Sequence, residues 1–259
     1  MSLIALASLK GSPGVTTAGV ALAATWNGDV VVAEVDPAGG DLAARFGLAE
    51  EPGLMSWAAA ARRSSPIEEL PLHVQELPGG VRVLVGPAGS EQARGALRVL
   101  EGRASLGFDR APGFDVLADW GRLGPDGPSH PLFTQADLVL LLARPVLADL
   151  AHVASRVDSL RGGARDIAMV LVGPGPYPAR EIAATLGAEV IGELPLDPQG
   201  AALCSGSASA SGRGVARSPL LRAARSLAEV MQHRLAGEGE TIAEPEESVQ
   251  SIPALEGTP

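Results

Sequence analysis

Lysine is nearly missing from this chain. Lys10 is the only lysine among 20 basic residues, and all the others are arginine. Cysteine is as scarce: Cys204 stands alone, which excludes an internal disulfide and fits a reducing compartment. One cysteine and four scattered histidines (His73, His130, His152, His233) show no zinc-ligand spacing. Cys204 therefore reads as a small buried residue. Aromatics make up 3 % of a chain that is 46 % hydrophobic, so Ala, Val, Leu and Ile must build the core. Basic charge is also short. A net charge of −10 disfavours DNA as a partner, because backbone affinity comes from clustered Lys and Arg. No apolar run approaches the ~20 residues of a membrane helix. No basic stretch precedes the first apolar run, so no secretory signal is expected and a cytoplasmic location is.

Apolar runs alternate with helix-like segments along the 259 residues. The expected strands are Leu3–Ala7, Val30–Val35, Val81–Val85, Val116–Asp119, Leu138–Ala143, Ile167–Val172 and Glu189–Ile191. Helices are expected at Thr16–Trp26, Leu42–Phe46, Leu54–Ala61, Glu91–Gly102, Ala148–Leu160, Ala179–Leu186 and Pro219–Leu235. All-apolar strands alternating with helices predict an α/β fold, with a mainly parallel sheet covered on both faces. Gly121 to Pro131 reads as a long loop, and Ser205 to Gly214 as a Ser/Gly/Ala segment too biased to pack. Beyond Ala236 come six glutamates and no basic residue. The expected organisation is one domain over 1–236 and a disordered acidic tail over 237–259.

Lys10 belongs to the segment Leu9-Lys10-Gly11-Ser12-Pro13-Gly14-Val15-Thr16-Thr17, between the first strand and the first helix. A Gly-rich turn there can hold phosphate with backbone N–H groups and a helix N-terminus; a ligand-free turn is the other reading. The segment resembles the deviant Walker A loop, K-G-G-x-G-K-[ST]-[ST], of the ParA/MinD family of SIMIBI-class P-loop ATPases. Lys10, Gly11, Gly14, Thr16 and Thr17 match it. The resemblance implies that these five residues bind ATP, that Lys10 reaches phosphate across an ATP-sandwich homodimer, and that Thr16 ligates Mg²⁺. Three positions depart from the pattern. Val15 replaces the Walker lysine and offers neither charge nor donor. Pro13 removes one backbone N–H. Ser12 puts a Cβ where close backbone approach to phosphate favours glycine.

Further segments follow in the family's order. Glu34-Val35-Asp36-Pro37-Ala38-Gly39-Gly40-Asp41 resembles the switch I motif D-x-D-P-x-G-[ND]. The likeness makes Asp36 a catalytic residue with Lys10, positioning the attacking water and the Mg²⁺ shell. Phe114-Asp115-Val116-Leu117-Ala118-Asp119 resembles the Walker B strand, which implies that Asp119 holds Mg²⁺ through water. Gln135 to Leu140 with Arg144-Pro145 resembles the next strand of the family and reads as scaffold. Leu194-Pro195-Leu196-Asp197 resembles the loop bordering adenine, which adds Pro195 and Asp197 to the nucleotide contacts. The asparagine that reads adenine in the family is replaced by Gly173.

Pro219–Leu235 carries Leu220, Leu221, Ala224, Leu227, Val230, Met231 and Leu235 at helical spacing, with arginines largely on the other side. Packing on the core is the favoured reading over membrane contact, since the acidic tail would be repelled by anionic lipid. The resemblance implies a nucleotide-binding protein with a degenerate P-loop and little or no hydrolysis, which positions or assembles protein partners. CpaE-like relatives, MinD-type proteins of pilus and secretion systems, share such loops. Two alternatives stay open: a slow but active ATPase switch, and an ATP-dependent synthetase of the dethiobiotin/cobyrinate type.

Overall fold

The computed structural model describes residues 1–11, 13–103, 105–106, 113–124, 130–208 and 217–239. The first strand shows why the chain folds as layers. All of β1 (Leu3–Ser8) is buried, and successive side chains point to opposite faces. Leu3, Ala5 and Ala7 enter one apolar cluster, and Ile4 and Leu6 enter the other. A strand with no polar face needs helices on both sides.

The other strands are β2 (Val30–Glu34), β3 (Gln75–Glu76), β4 (Arg82–Leu84), β5 (Asp115–Arg122), β6 (Leu138–Ala143), β7 (Ile167–Val172) and β8 (Glu189–Leu194). They form an eight-stranded sheet in the order β3-β4-β2-β5-β1-β6-β7-β8. Every pairing is parallel except the β3–β4 edge. The helices are α1 (Val15–Ala23), α2 (Leu42–Phe46), α3 (Leu54–Ala60), α4 (Pro66–Glu69), α5 (Ser90–Glu101), α6 (Pro131–Thr134), α7 (Leu147–Ala154), α8 (Val157–Arg161), α9 (Ala179–Leu186), α10 (Pro198–Cys204) and α11 (Pro219–Gly239), with a short 3₁₀ turn at Leu70–Leu72.

The α/β expectation holds, and the differences have local causes. The helix expected over 148–160 is two helices. Ser155 Oγ turns back to the His152 carbonyl (2.9 Å), and Arg156 is diverted to the carbonyls of Leu123 (2.9 Å) and Gly124 (3.0 Å). Helix α1 stops at Ala23 because Thr25 Oγ1 donates to the Ala21 and Leu22 carbonyls at 2.9 and 3.2 Å. The β3 edge and helices α4, α6 and α10 are too short for a periodic signal.

Helix α11 packs on α1 and β8 through Leu220, Leu221, Ala224, Leu227 and Met231. Its apolar face is spent on the core, apart from Val230, which is exposed. The helix runs to Gly239, three residues past the expected boundary at 236; the acidic tail from 240 on lies outside the described residues, as do 209–216 and 125–129 of the two expected loops. Cys204 is buried, and burial pushes its thiol up to about 11, which makes it inert at neutral pH. Among the described residues, no helix is long and apolar enough to cross a membrane.

Candidate functional site

Parallel register brings the acidic and loop residues to one end of the sheet. Leu6 of β1 and Glu34 of β2 both pair with Asp119 of β5. The segments following β1 and β2 therefore leave the sheet beside the carboxyl end of β5. Crevices at such strand ends are where open α/β sheets hold ligands.

The loop after β1 turns through glycines. Gly11 has φ +70° and Gly14 has φ +89°, conformations that side chains rarely tolerate. Gly14 caps α1 with its carbonyl, which accepts from Ala18 N at 2.8 Å. Among the described residues, no side chain caps this helix end, and no acidic residue lies in its first turn. The first-turn N–H groups are thus free of side-chain acceptors and carry the positive end of the helix dipole. Val15, the first helical residue, is buried in the apolar cluster that includes Ala18 and Leu22. Lys10 is half-buried, with no hydrogen bond or ion pair to any described residue.

Three oxygen-bearing side chains converge beside the loop. Asp119 is fully buried. Its Oδ1 accepts the Gly121 N–H at 2.9 Å, and its Oδ2 has no hydrogen-bond partner among the described residues. Burial raises its pKa to about 6, opposed by the neighbouring Thr16 hydroxyl and the Gly121 N–H and reinforced by the Asp36 charge. Asp36 Oδ1 accepts the Ala38 N–H at 2.7 Å. Asp36 Oδ2 lies so close over Gly121 that a Cβ there would stand 1.8 Å away. Burial raises the Asp36 pKa too, against the N–H groups of Ala38 and Arg122. Hydroxyl and carboxylate oxygens are hard donors suited to Mg²⁺, which takes one or two protein ligands and completes its shell with phosphate and water. The unpartnered Asp119 Oδ2 beside Thr16 and Asp36 fits that chemistry. Among the described residues, no cluster of three or more His, Cys, Asp or Glu could hold a metal by itself.

Glu34 shapes the segment that carries Asp36. Its Oε1 accepts the N–H groups of Asp41 (2.6 Å) and Leu42 (3.0 Å), and its Oε2 accepts that of Gly86 (2.9 Å). Burial raises its pKa to about 7 against these bonds. The 36–41 segment is thereby pinned at its far end to a strand terminus.

On the other side of the loop, a cleft of about 290 Å³ is lined by Gly14, Thr17, Val172, Pro195, Leu196 and neighbouring residues. Asp197 borders it, with its carboxylate committed to structure. Oδ1 caps α10 through Gly200 N (3.0 Å), and Oδ2 takes Ser218 Oγ (2.6 Å) and Leu220 N (3.2 Å). A Cβ on Gly173 would lie 2.8 Å from Leu196 Cγ, so leucine covers the space that a side chain at this position would enter.

The fold thus brings Thr16, Asp36 and Asp119 together at the strand ends and Gly14, Thr17, Pro195 and Asp197 around the adjacent cleft, while Lys10 makes no hydrogen bond or ion pair with any of these side chains and Ser12 lies outside the described residues. Sequence reasoning read Arg144 as scaffold and did not single out Asp149. Arg144 leaves β6 beside Gly11 and is paired to the buried Asp149. The signal was an arginine directly after an all-apolar strand, next to the strand that feeds the loop.

The architecture is that of the MinD/ParA group of P-loop nucleoside triphosphatases. The cell division ATPase MinD of Pyrococcus furiosus superposes with a TM-score of 0.68 at 20% identity, over 89% of this chain and 98% of that one. A ParA family ATPase from Chlorobium tepidum gives 0.67 at 15% identity, covering 88% and 97%. The septum site-determining protein MinD of Pyrococcus horikoshii, complexed with Mg-ADP, gives 0.65 at 18% identity, covering 92% and 98%. At these identities the likeness establishes the fold and leaves activity to the site. No family model and no curated protein matches the sequence.

Proposed function

We propose that this chain is a MinD/ParA-like nucleotide-binding protein with a degenerate P-loop, which binds ATP weakly with Mg²⁺, hydrolyses it slowly or not at all, and positions or assembles a partner protein complex. The observation that carries this reading is the contrast at the start of α1. Val15, at the lysine position of the P-loop, is buried among apolar side chains, while Thr16, Asp36 and Asp119 remain gathered at the adjacent strand ends.

Each residue has a role in that reading. The N–H groups around Gly14 and the α1 terminus hold phosphate, and Thr16, Asp36 and Asp119 hold Mg²⁺. The metal supplies charge neutralisation at the phosphates. Pro195, Leu196 and the backbone at Asp197 wall the base end, where the apolar lining and Leu196 over Gly173 favour stacking over base-specific hydrogen bonds. Losing the lysine costs about 1.5–3 kcal/mol of charged hydrogen bonding, roughly ten- to hundred-fold in affinity. Phosphoryl transfer suffers more, because it depends on charge stabilisation in the transition state.

A second reading, a slow ATPase switch, is favoured by Lys10. Its ammonium has no partner among the described residues and is available to phosphate held by a neighbouring copy in an ATP-dependent homodimer. Calorimetric titration with ATP and with ADP, each with Mg²⁺, followed by a turnover assay, tests both readings. Saturable binding with negligible turnover supports the first. Turnover lost in Lys10→Ala supports the second. An absence of binding up to millimolar nucleotide rejects both and leaves a ligand-free scaffold.

A further inference from the structure

We infer that Arg144 is a phosphate-binding cation of this loop, acting within the same chain on the terminal phosphate and replacing part of the charge that Val15 lacks. The inference rests on the nucleotide reading and adds a residue that the loop motif does not contain. Strands β1 and β6 run side by side in parallel, with Ala7 opposite Leu141, so Lys10 and Arg144 leave the sheet together. Contact between the two segments is close. A Cβ built on Gly11 would lie 2.8 Å from a terminal guanidinium nitrogen of Arg144. Only a residue without a side chain leaves this guanidinium its place against the loop backbone.

The guanidinium is held ready by Asp149, in the first turn of α7. The Asp149 side chain is 1% exposed. It accepts from Arg144 Nε at 2.9 Å, from a terminal nitrogen at 3.0 Å and from the Arg144 backbone N–H at 3.3 Å. An arginine has five N–H donors in a rigid fork. The pair uses one edge of that fork, and the other terminal nitrogen makes no hydrogen bond to a described residue. The Arg144 side chain is 50% exposed, so the open edge is reachable from solvent. The terminal nitrogen against Gly11 is the one bonded to Asp149, so the buried carboxylate fixes this edge of the guanidinium beside the glycine turn and leaves the other terminal nitrogen open for a phosphate oxygen.

Position selects which phosphate. The cleft that would take the base borders Gly14 and Thr17, at the α1 end of the loop. Gly11 and Arg144 stand at the opposite end, beyond which a polyphosphate chain has only its terminal group left to place. Arg144 should therefore distinguish ATP from ADP.

Equilibrium binding of ATP and of ADP, each with Mg²⁺, tests this on the full chain and on two variants. Arg144→Ala removes the cation. Asp149→Asn breaks the same ion pair and keeps the cation. Arg144→Ala is expected to weaken ATP binding roughly ten- to hundred-fold and to leave ADP binding within about threefold, and Asp149→Asn, which loosens the guanidinium but keeps its charge, is expected to weaken ATP binding by less than Arg144→Ala does. Should Arg144→Ala unfold because it strands the Asp149 carboxylate, the double variant Arg144→Ala/Asp149→Asn reads the same quantity without a buried unpaired charge. Unchanged ATP affinity in a folded variant lacking Arg144 overturns the inference alone, as does equal weakening by Asp149→Asn, which would mark the pair as structural. Failure of the unmodified chain to bind either nucleotide overturns the inference together with the nucleotide reading.

Discussion

Restoring the missing lysine is the sharpest perturbation of this site. Val15→Lys places a cationic side chain at the first position of α1, where the Cα–Cβ bond tilts toward the helix N-terminus and hence toward the loop. Val15 is 5% exposed, and losing its packing costs about 1.5 kcal/mol, at the low end for a buried aliphatic side chain. The lysine methylenes recover part of that area, because the ammonium can run back to the loop while its stem stays on apolar surface. Without nucleotide, Tm should fall by roughly 3–6 °C, given about 2–4 °C per kcal/mol for a chain of this size. With nucleotide the sign reverses. A new charged hydrogen bond to phosphate is worth about 1.5–3 kcal/mol, so Mg-ATP affinity should rise roughly ten- to hundred-fold. Differential scanning fluorimetry across an ATP series, with calorimetry on both proteins, reads the two effects separately. A folded Val15→Lys protein that gains no affinity would refute the reasoning, because it would mean that the turn after β1 does not cradle phosphate.

Two further outcomes follow from the acidic end of the site. Gly121→Ala should destabilise the protein by about 1–3 kcal/mol and abolish the Mg²⁺ dependence of nucleotide binding, since its Cβ would fall 1.8 Å from Asp36 Oδ2 at a residue with φ +54°; a normal urea midpoint with intact Mg²⁺ dependence would contradict the packing described. Stability of the nucleotide-free protein should fall as pH rises from about 4 to about 7, because burial raises the carboxyl pKa of Asp119 to about 6 and of Glu34 to about 7, so the folded state holds protons that the unfolded state has released. The Asp119 share is on the order of 3 kcal/mol at 1.36 kcal/mol per unit. Urea melts at pH 5 and pH 8 should show the loss, Asp119→Asn should diminish it, and a stability that rises over this interval would contradict the burial argument.

Much of the architecture was legible in the sequence because it is written locally. The runs at Leu3, Val30, Leu138 and Ile167 are too apolar for any place but the middle of a covered sheet. The order of the loop, of Asp36 and of Asp119 then marked the strand ends that would carry polar work. The break at Ser155 and the short β3 edge were less legible, since side-chain hydrogen bonds and edge pairing leave little periodic trace.

Local pattern also picked out residues that the fold gathers at the strand ends, but not their surroundings. That Val15 is buried rather than free, that Asp197 is spent on joining α10 to α11, and that Leu196 covers Gly173 are facts about neighbours more than twenty positions away or on another element. Glu34 gains its role only when Asp41, Leu42 and Gly86 fold their N–H groups onto it. Arg144 gains its role only because β6 pairs beside β1. By itself, the sequence determined which residues could carry charge, turn the chain tightly or build a core. Tertiary structure decided which of them meet, because strand register and layer packing bring together groups that chain order keeps more than a hundred residues apart.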